Sequence, residues 1–208
     1  MAKAPIPGLA KTRLAAGVGD EQAAEIAACA LLDTMTAAEQ AVGAGSCVIA
    51  LTGSLADAAR GPEIEAALTH WQVFEQRGGS FAERLACAHV DAGTGALLQV
   101  GMDTPQITPE LLLQAGLCLE HHDTVLGPAE DGGWWVLGRH DPSAGLALRD
   151  VPMSTSSTYA DTRAALLAAG LSVAVTVTLT DVDTVAEAAA VATAAPETRF
   201  ARAWRAAS

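Results

Sequence analysis

The stretch ALLQVGMDTPQITPELLLQAG, residues 96–116, decides the fold class. Residues 96–100 form a short apolar run of the kind a strand covered on both faces shows. The run stops at Gly101-Met102-Asp103-Thr104-Pro105, a turn-rich segment with a single acid. Thr108 then stands at a helix N-cap, with Pro109 in the first turn, where a missing N–H costs nothing. Strand, acidic loop and capped helix in succession is the pattern of a sheet with crossover helices.

The same alternation extends in both directions. Toward the N-terminus, Asp20 opens a helix over residues 20–42, and residues 46–52 read as a buried strand. Residues 54–69 read as helix, broken near Gly61-Pro62, and residues 72–75 as a weak strand. Ser80 and Glu83 form a capping box ahead of the next helix. Toward the C-terminus, residues 124–126 and 134–137 read as strands flanking the turn over 127–133. A helix over 158–169 stops at Gly170. Residues 172–179 are β-branched and strand-like, and end at Asp181-Val182-Asp183-Thr184; a helix from Val185 and a tail with Phe200 and Trp204 follow. The 208 residues suit one α/β domain over 1–208, a mostly parallel twisted sheet flanked by helices.

The loop over residues 4–13 has the look of a phosphate loop, which normally follows a central strand. Only Met1 to Lys3 precede it, so the first strand is expected to be short or missing.

Composition narrows the function. A formal charge of −12 repels nucleic acid, and no basic stripe with interleaved aromatics is present. No apolar run reaches membrane-spanning length. The first 14 residues carry three cations and two prolines without an apolar core, unlike a signal peptide. A cytoplasmic protein is expected. Cys29, Cys47, Cys87 and Cys118 form no C-x-x-C pair and read as small side chains in a reducing compartment. The two lysines, Lys3 and Lys11, cluster with Arg13 at the start of the chain, the one place where an anion would be held.

Open α/β sheets bind ligands at the carboxyl ends of their strands, where three acidic sites fall: Asp103, Glu130 with Asp131, and Asp181 with Asp183. A hard divalent cation, Mg²⁺ or Mn²⁺, takes one or two carboxylates and completes its shell with substrate phosphates and water. Asp103 with Asp183 or Asp181 would supply the carboxylates. Lys3, Lys11 and Arg13, with loop N–H groups near Gly8, would hold the phosphates. Glu130 or Asp131 would act as general base for an acceptor hydroxyl. Gly132 and Gly133 let backbone approach a ligand closely. The rings of Trp134 and Trp135 point to opposite faces of a strand, one toward an acceptor pocket and one toward the core. Ser154 to Ser157 read most simply as a helix cap, and Asp181 or Asp183 has a capping alternative as well. His121 and His122 close a helix, where the dipole favours them, and are poor metal candidates. The aspartates at 181 and 183 also echo a phosphatase signature with a nucleophilic first aspartate, but no lysine follows Thr184.

Taken together, these blocks resemble the rSAM/selenodomain-associated transferases, also called arsenosugar-biosynthesis glycosyltransferases, within the nucleotide-diphospho-sugar transferase (GT-A) superfamily. The blocks are Ala2 to Gly8 with Lys11-Thr12-Arg13-Leu14, the Gly101 to Pro105 segment, the Gly127 to Gly133 turn, and Asp181 to Thr184. The resemblance implies a Rossmann-like GT-A fold, nucleotide phosphates on the Lys/Arg loop, and a metal on Asp103 joined by Asp183 more than Asp181. It also implies an acceptor near Ser154 and Thr155, where Met153 replaces the family's tryptophan. The family's Gly-Asp-Leu-Gly-Glu-Arg block stands as Gly79-Ser80-Phe81-Ala82-Glu83-Arg84.

Three functions follow as expectations. The first is glycosyl transfer from a nucleotide sugar to a small-molecule acceptor. The second is nucleotidyl transfer from a nucleoside triphosphate with release of pyrophosphate, since guanylyltransferases carry a similar Lys-Thr-Arg-Leu loop. The third is nucleotide binding without catalysis.

Overall fold

A computed structural model describes residues 1–208. Its chain divides into two compact units: one holds Met1 with residues 75–101 and 110–180, the other residues 2–74, 102–109 and 181–208.

The second unit opens with a two-residue strand β1 (Ala2–Lys3), paired parallel with β2 (Val48–Thr52). The first strand is thus short, as expected, and Ala4 N–H extends the pairing to Thr52 O at 2.8 Å. Strand β3 (Gln72–Glu75) lies on the other side of β2. A helix absent from the sequence reading, α1 (Thr12–Val18), precedes α2 (Asp20–Val42). Two glycines in eight residues hid it, because glycine is a poor helix former. Helix α3 (Gly61–Ala67) has Pro62 in its first turn, so the proline starts this helix instead of breaking a longer one.

Helix α2 is buried nearly all round, which explains its alanines: small side chains let other elements approach from two sides. On one side Ile26 and Cys29 pack with Val182, Phe200 and Trp204. On the other Leu31, Leu32 and Met35 pack with Ile49, Ile64 and Met102. The C-terminal residues form two helices, α7 (Val185–Ala194) and α8 (Arg199–Ala207), with Phe200 fully buried. Asp33 of α2 accepts from Arg199 N–H (3.1 Å) and Phe200 N–H (2.8 Å), a carboxylate placed at the positive end of α8.

The first unit holds a sheet of order β4-β6-β5-β7, with β4 (Leu97–Val100), β5 (Thr124–Pro128), β6 (Trp134–Arg139) and β7 (Val173–Val175). Strands β5 and β7 are parallel, while β6 runs antiparallel to both β4 and β5. Residues 129–133 are too few for a crossover, so β5 and β6 make a hairpin. Strand β7 is shorter than the β-branched run predicted, although Leu179 forms an isolated parallel bridge with Ala129. Helices α4 (Phe81–Asp91), α5 (Pro109–Cys118) and α6 (Thr158–Ala168) complete the unit. The Ser80–Glu83 capping box is present. Arg139 is fully buried and donates to the carbonyls of His89, Gly93 and Gly95 at 2.6–2.7 Å, neutralising the C-terminal end of α4. No helix is long and apolar enough to cross a membrane.

Candidate functional site

In the second unit the backbone brings two acidic segments side by side. Val182 N–H donates to Asp103 O at 2.8 Å, and Thr104 Oγ1 donates to Asp181 Oδ1 at 2.9 Å. Met102, Thr104 and Val182 are buried, whereas Asp103, Asp181 and Asp183 are only partly so. Alternation of core and outward side chains therefore sets the acids free of the core. The helix cap does not use them. Thr184 and Glu187 form the capping box of α7, with Glu187 accepting from the N–H groups of Asp183 and Thr184.

The loop after β1 reaches the same place. Lys11, in a left-handed conformation (φ 51°), ends the loop and starts α1. Its Nζ lies 2.9 Å from Asp103 Oδ1 and 2.7 Å from Asp183 Oδ1. Arg13 Nη2 lies 2.7 Å from Asp183 Oδ2. The Lys11 side chain is 11% exposed and that of Arg13 is 72% exposed, so the first is embedded in the cluster and the second reaches into solvent. Burial opposes the Lys11 ammonium, yet Asp103 and Asp183 outweigh it and hold its pKa above the usual lysine value. Burial likewise opposes the Asp183 carboxylate, but Lys11 and Arg13 hold its pKa below the usual range.

Lys3 does not join this cluster: its Nζ donates to Leu9 O at 2.8 Å and ties the loop to itself. Gly8 takes φ 74° within that loop, a conformation that favours glycine. Asp181 is held by Thr104, whose orienting role had no signal beyond a threonine beside an acid. Gly17 was missed too. A side chain there would strike Val185, so glycine lets α1 approach α7 just beyond Asp183.

The remaining sequence candidates lie in the first unit. Asp131 Oδ1 accepts from Gly133 N–H at 2.8 Å, closing a turn of its own. Glu130 is exposed and accepts from Thr180 Oγ1 at 2.9 Å. Gly132 has φ 90° and lies against the Ser156 backbone, where any side chain would clash. Ser157 sits at the N-cap of α6 but makes no side-chain cap bond. Instead Thr158 Oγ1 accepts from Thr155 N–H at 3.0 Å and donates to Pro152 O, and Ser154 is exposed with φ 60°. Trp134 packs beside Leu85, Leu126 and Leu137 and donates to Thr162 Oγ1, while Trp135 is fully buried and donates to Val177 O. Both indole N–H groups are thus spent within the protein.

No group of three or more His, Cys, Asp or Glu side chains converges as a metal site. Asp103 and Asp183 nevertheless face one nitrogen from two sides. That donor set fits a hard cation that takes two carboxylates and draws its other ligands from phosphate oxygens and water.

The profile of a family described as "Uncharacterized protein conserved in bacteria (DUF2064)" matches residues 34–155, more than half the chain. The matched stretch includes Asp103 and the Glu130 turn, while Lys11 and Asp183 lie outside it. Among solved structures, a "putative nucleotide-diphospho-sugar transferase" from Desulfovibrio desulfuricans G20 superposes with a TM-score of 0.81 at 25% identity, covering 98% of this chain and 89% of that one. A CMP:2-keto-3-deoxy-manno-octonic acid synthetase complexed with CTP superposes at 0.52 and 15% identity, covering 81% and 88%. The second likeness is one of fold. No curated protein matches the sequence.

Proposed function

The chain belongs to the DUF2064 family, and on that premise we propose that it is a divalent-cation-dependent transferase taking a nucleotide sugar as donor and a small molecule as acceptor. The observation that carries the reading is the meeting of Lys11, Arg13, Asp103 and Asp183 on one nitrogen-centred cluster. Support for the donor class comes from the likeness to the Desulfovibrio protein over nearly the whole chain. Membership among the rSAM-associated transferases is part of the same proposal.

In this reading Lys11 and Arg13 hold the donor's diphosphate and offset the charge that grows on it as it leaves. Asp103 and Asp183 hold Mg²⁺ or Mn²⁺, with Asp181 set behind them by Thr104. A bound divalent cation supplies Lewis-acid stabilisation of the departing diphosphate. The acceptor hydroxyl loses its proton to a carboxylate as its oxygen attacks the anomeric carbon. Glu130 is assigned this role ahead of Asp131, whose Oδ1 already holds the turn. Gly132, Gly133, Trp134, Ser154 and Thr155 are assigned to the acceptor.

A second reading is nucleotidyl transfer, in which an acceptor phosphate attacks the α-phosphate of a nucleoside triphosphate. The Lys11-Thr12-Arg13-Leu14 loop favours it, and a synthetase bound to CTP has a similar fold. The leaving group separates the two. Incubation with nucleotide sugars and triphosphates, with Mg²⁺ or Mn²⁺, should release a nucleoside diphosphate. Pyrophosphate release without any nucleoside diphosphate would reverse the order. Cation-dependent binding of every candidate donor without turnover would leave a nucleotide-binding module.

A further inference from the structure

We infer that Lys11 is the resident occupant of the cation position between Asp103 and Asp183, and that a phosphate-bearing ligand must draw it off before a divalent cation can settle there. The inference deepens the reading above and rests on its assignment of Asp103 and Asp183 as cation ligands.

Of the four oxygens of Asp103 and Asp183, three already hold a cationic partner. Asp103 Oδ1 and Asp183 Oδ1 both contact the one Nζ, at 2.9 and 2.7 Å. The other Asp183 oxygen is bound by Arg13. No third acid stands ready to hold a cation beside the ammonium. Two positive centres at such a separation repel, and the low exposure of Lys11 leaves little water to screen them. Entry of the cation therefore requires the ammonium to leave. The Lys11 backbone is fixed at the junction of loop and helix, but its side chain is a four-carbon stem that can swing. A ligand diphosphate offers the ammonium a new partner, and the cation takes the vacated carboxylates. One side chain thus couples the two bindings. The cation alone binds weakly, and cation with diphosphate binds cooperatively. Arg13 cannot play this part, because it approaches Asp183 from solvent and does not touch Asp103.

The test is Mn²⁺ alone titrated into the full chain, with free Mn²⁺ followed by electron paramagnetic resonance. Lys11→Met is expected to bind Mn²⁺ at least tenfold more tightly than the wild type. Arg13→Gln is expected to stay within about threefold, since exposed pairs are worth little. Asp103→Asn placed in the Lys11→Met background should remove the gain. If Lys11→Met loses its native circular dichroism, Lys11→Gln carries the same expectation with a neutral donor kept between the carboxylates. Lys11 variants that bind Mn²⁺ no better than the wild type would overturn the inference. An equal gain in Arg13→Gln would overturn it as well, by showing a general charge effect. A gain in Lys11→Met alone, with no donor turned over by the wild type, would instead leave this inference standing and remove the transfer reading.

Discussion

Lys11 Nζ lies 2.7 Å from Oδ1 of Asp183, and that contact joins the loop after β1 to the segment just ahead of α7. Asp103 completes the pair at 2.9 Å. Three segments remote in sequence thereby bring two acids and two cations together.

Lys11→Ala should weaken binding of a nucleotide diphosphate in the presence of Mn²⁺ by about 1.5–3 kcal/mol, the loss of a charge-assisted hydrogen bond. Isothermal calorimetry reads this directly. Unchanged affinity would place the phosphates elsewhere.

Glu130→Gln keeps the Thr180 contact in reach but removes the base. A fall in kcat of roughly 10²–10⁴ with little change in donor KM is expected. Asp131→Asn should cost less, because an amide oxygen can still accept from Gly133. The reverse ranking would exchange the two roles.

Gly17→Leu should act on the site from outside it. Its side chain must push against Val185, two residues beyond Asp183. Val185 is exposed and can partly turn aside, so the cost should stay near the lower end of overpacking, about 1 kcal/mol. Urea unfolding should register that cost, and calorimetry should show weaker nucleotide binding than an exposed control such as Ala16→Ser. Equal stability and binding would mean that α1 does not position the cluster.

His89 supplies a pH signature independent of the site. It is fully buried, and burial, with Arg139 nearby, outweighs the opposing contact with Gln99 and lowers its pKa to about 3. The folded protein thus resists a proton that the unfolded chain accepts near pH 6.5. Stability from this group is full above that pH and falls below it toward about pH 3, by up to ~1.4 kcal/mol per pH unit. Urea unfolding at pH 7 and pH 5 should show the loss, and His89→Leu should flatten it. Asp183 adds a loss only lower, where its own carboxylate protonates, because its folded pKa lies below 3.8. Lys11 adds one only as pH rises past 10.5.

Much of the fold was legible because its signals are local. The Ser80–Glu83 capping box, the start of α5 at Pro109 and the stop of α6 before Gly170 each follow from neighbouring residues. The acids at 103 and 183 were legible because each closes an apolar stretch. What was not legible depends on tertiary contacts. Helix α1 forms despite Gly17, because packing against α7 outweighs propensity. The three clustered cations looked alike in sequence, yet the fold separates Lys3, bound to Leu9 O, from Lys11, bound to two carboxylates. A cap was expected among Ser154 to Ser157 and at Asp181 or Asp183, yet Ser157 makes no side-chain cap bond and Thr184 caps α7 instead of either aspartate.

Turnover by Asp103→Ala tests the central claim most directly. Asp103 is partly exposed, so the variant should keep its circular dichroism spectrum and melt within a few degrees of the wild type. With nucleotide sugars and Mn²⁺ present, it should release no nucleoside diphosphate under conditions where the wild type does. Wild-type release by a folded Asp103→Ala would show that the cluster at Lys11 is an ordinary ion-pair network and that the chemistry resides elsewhere.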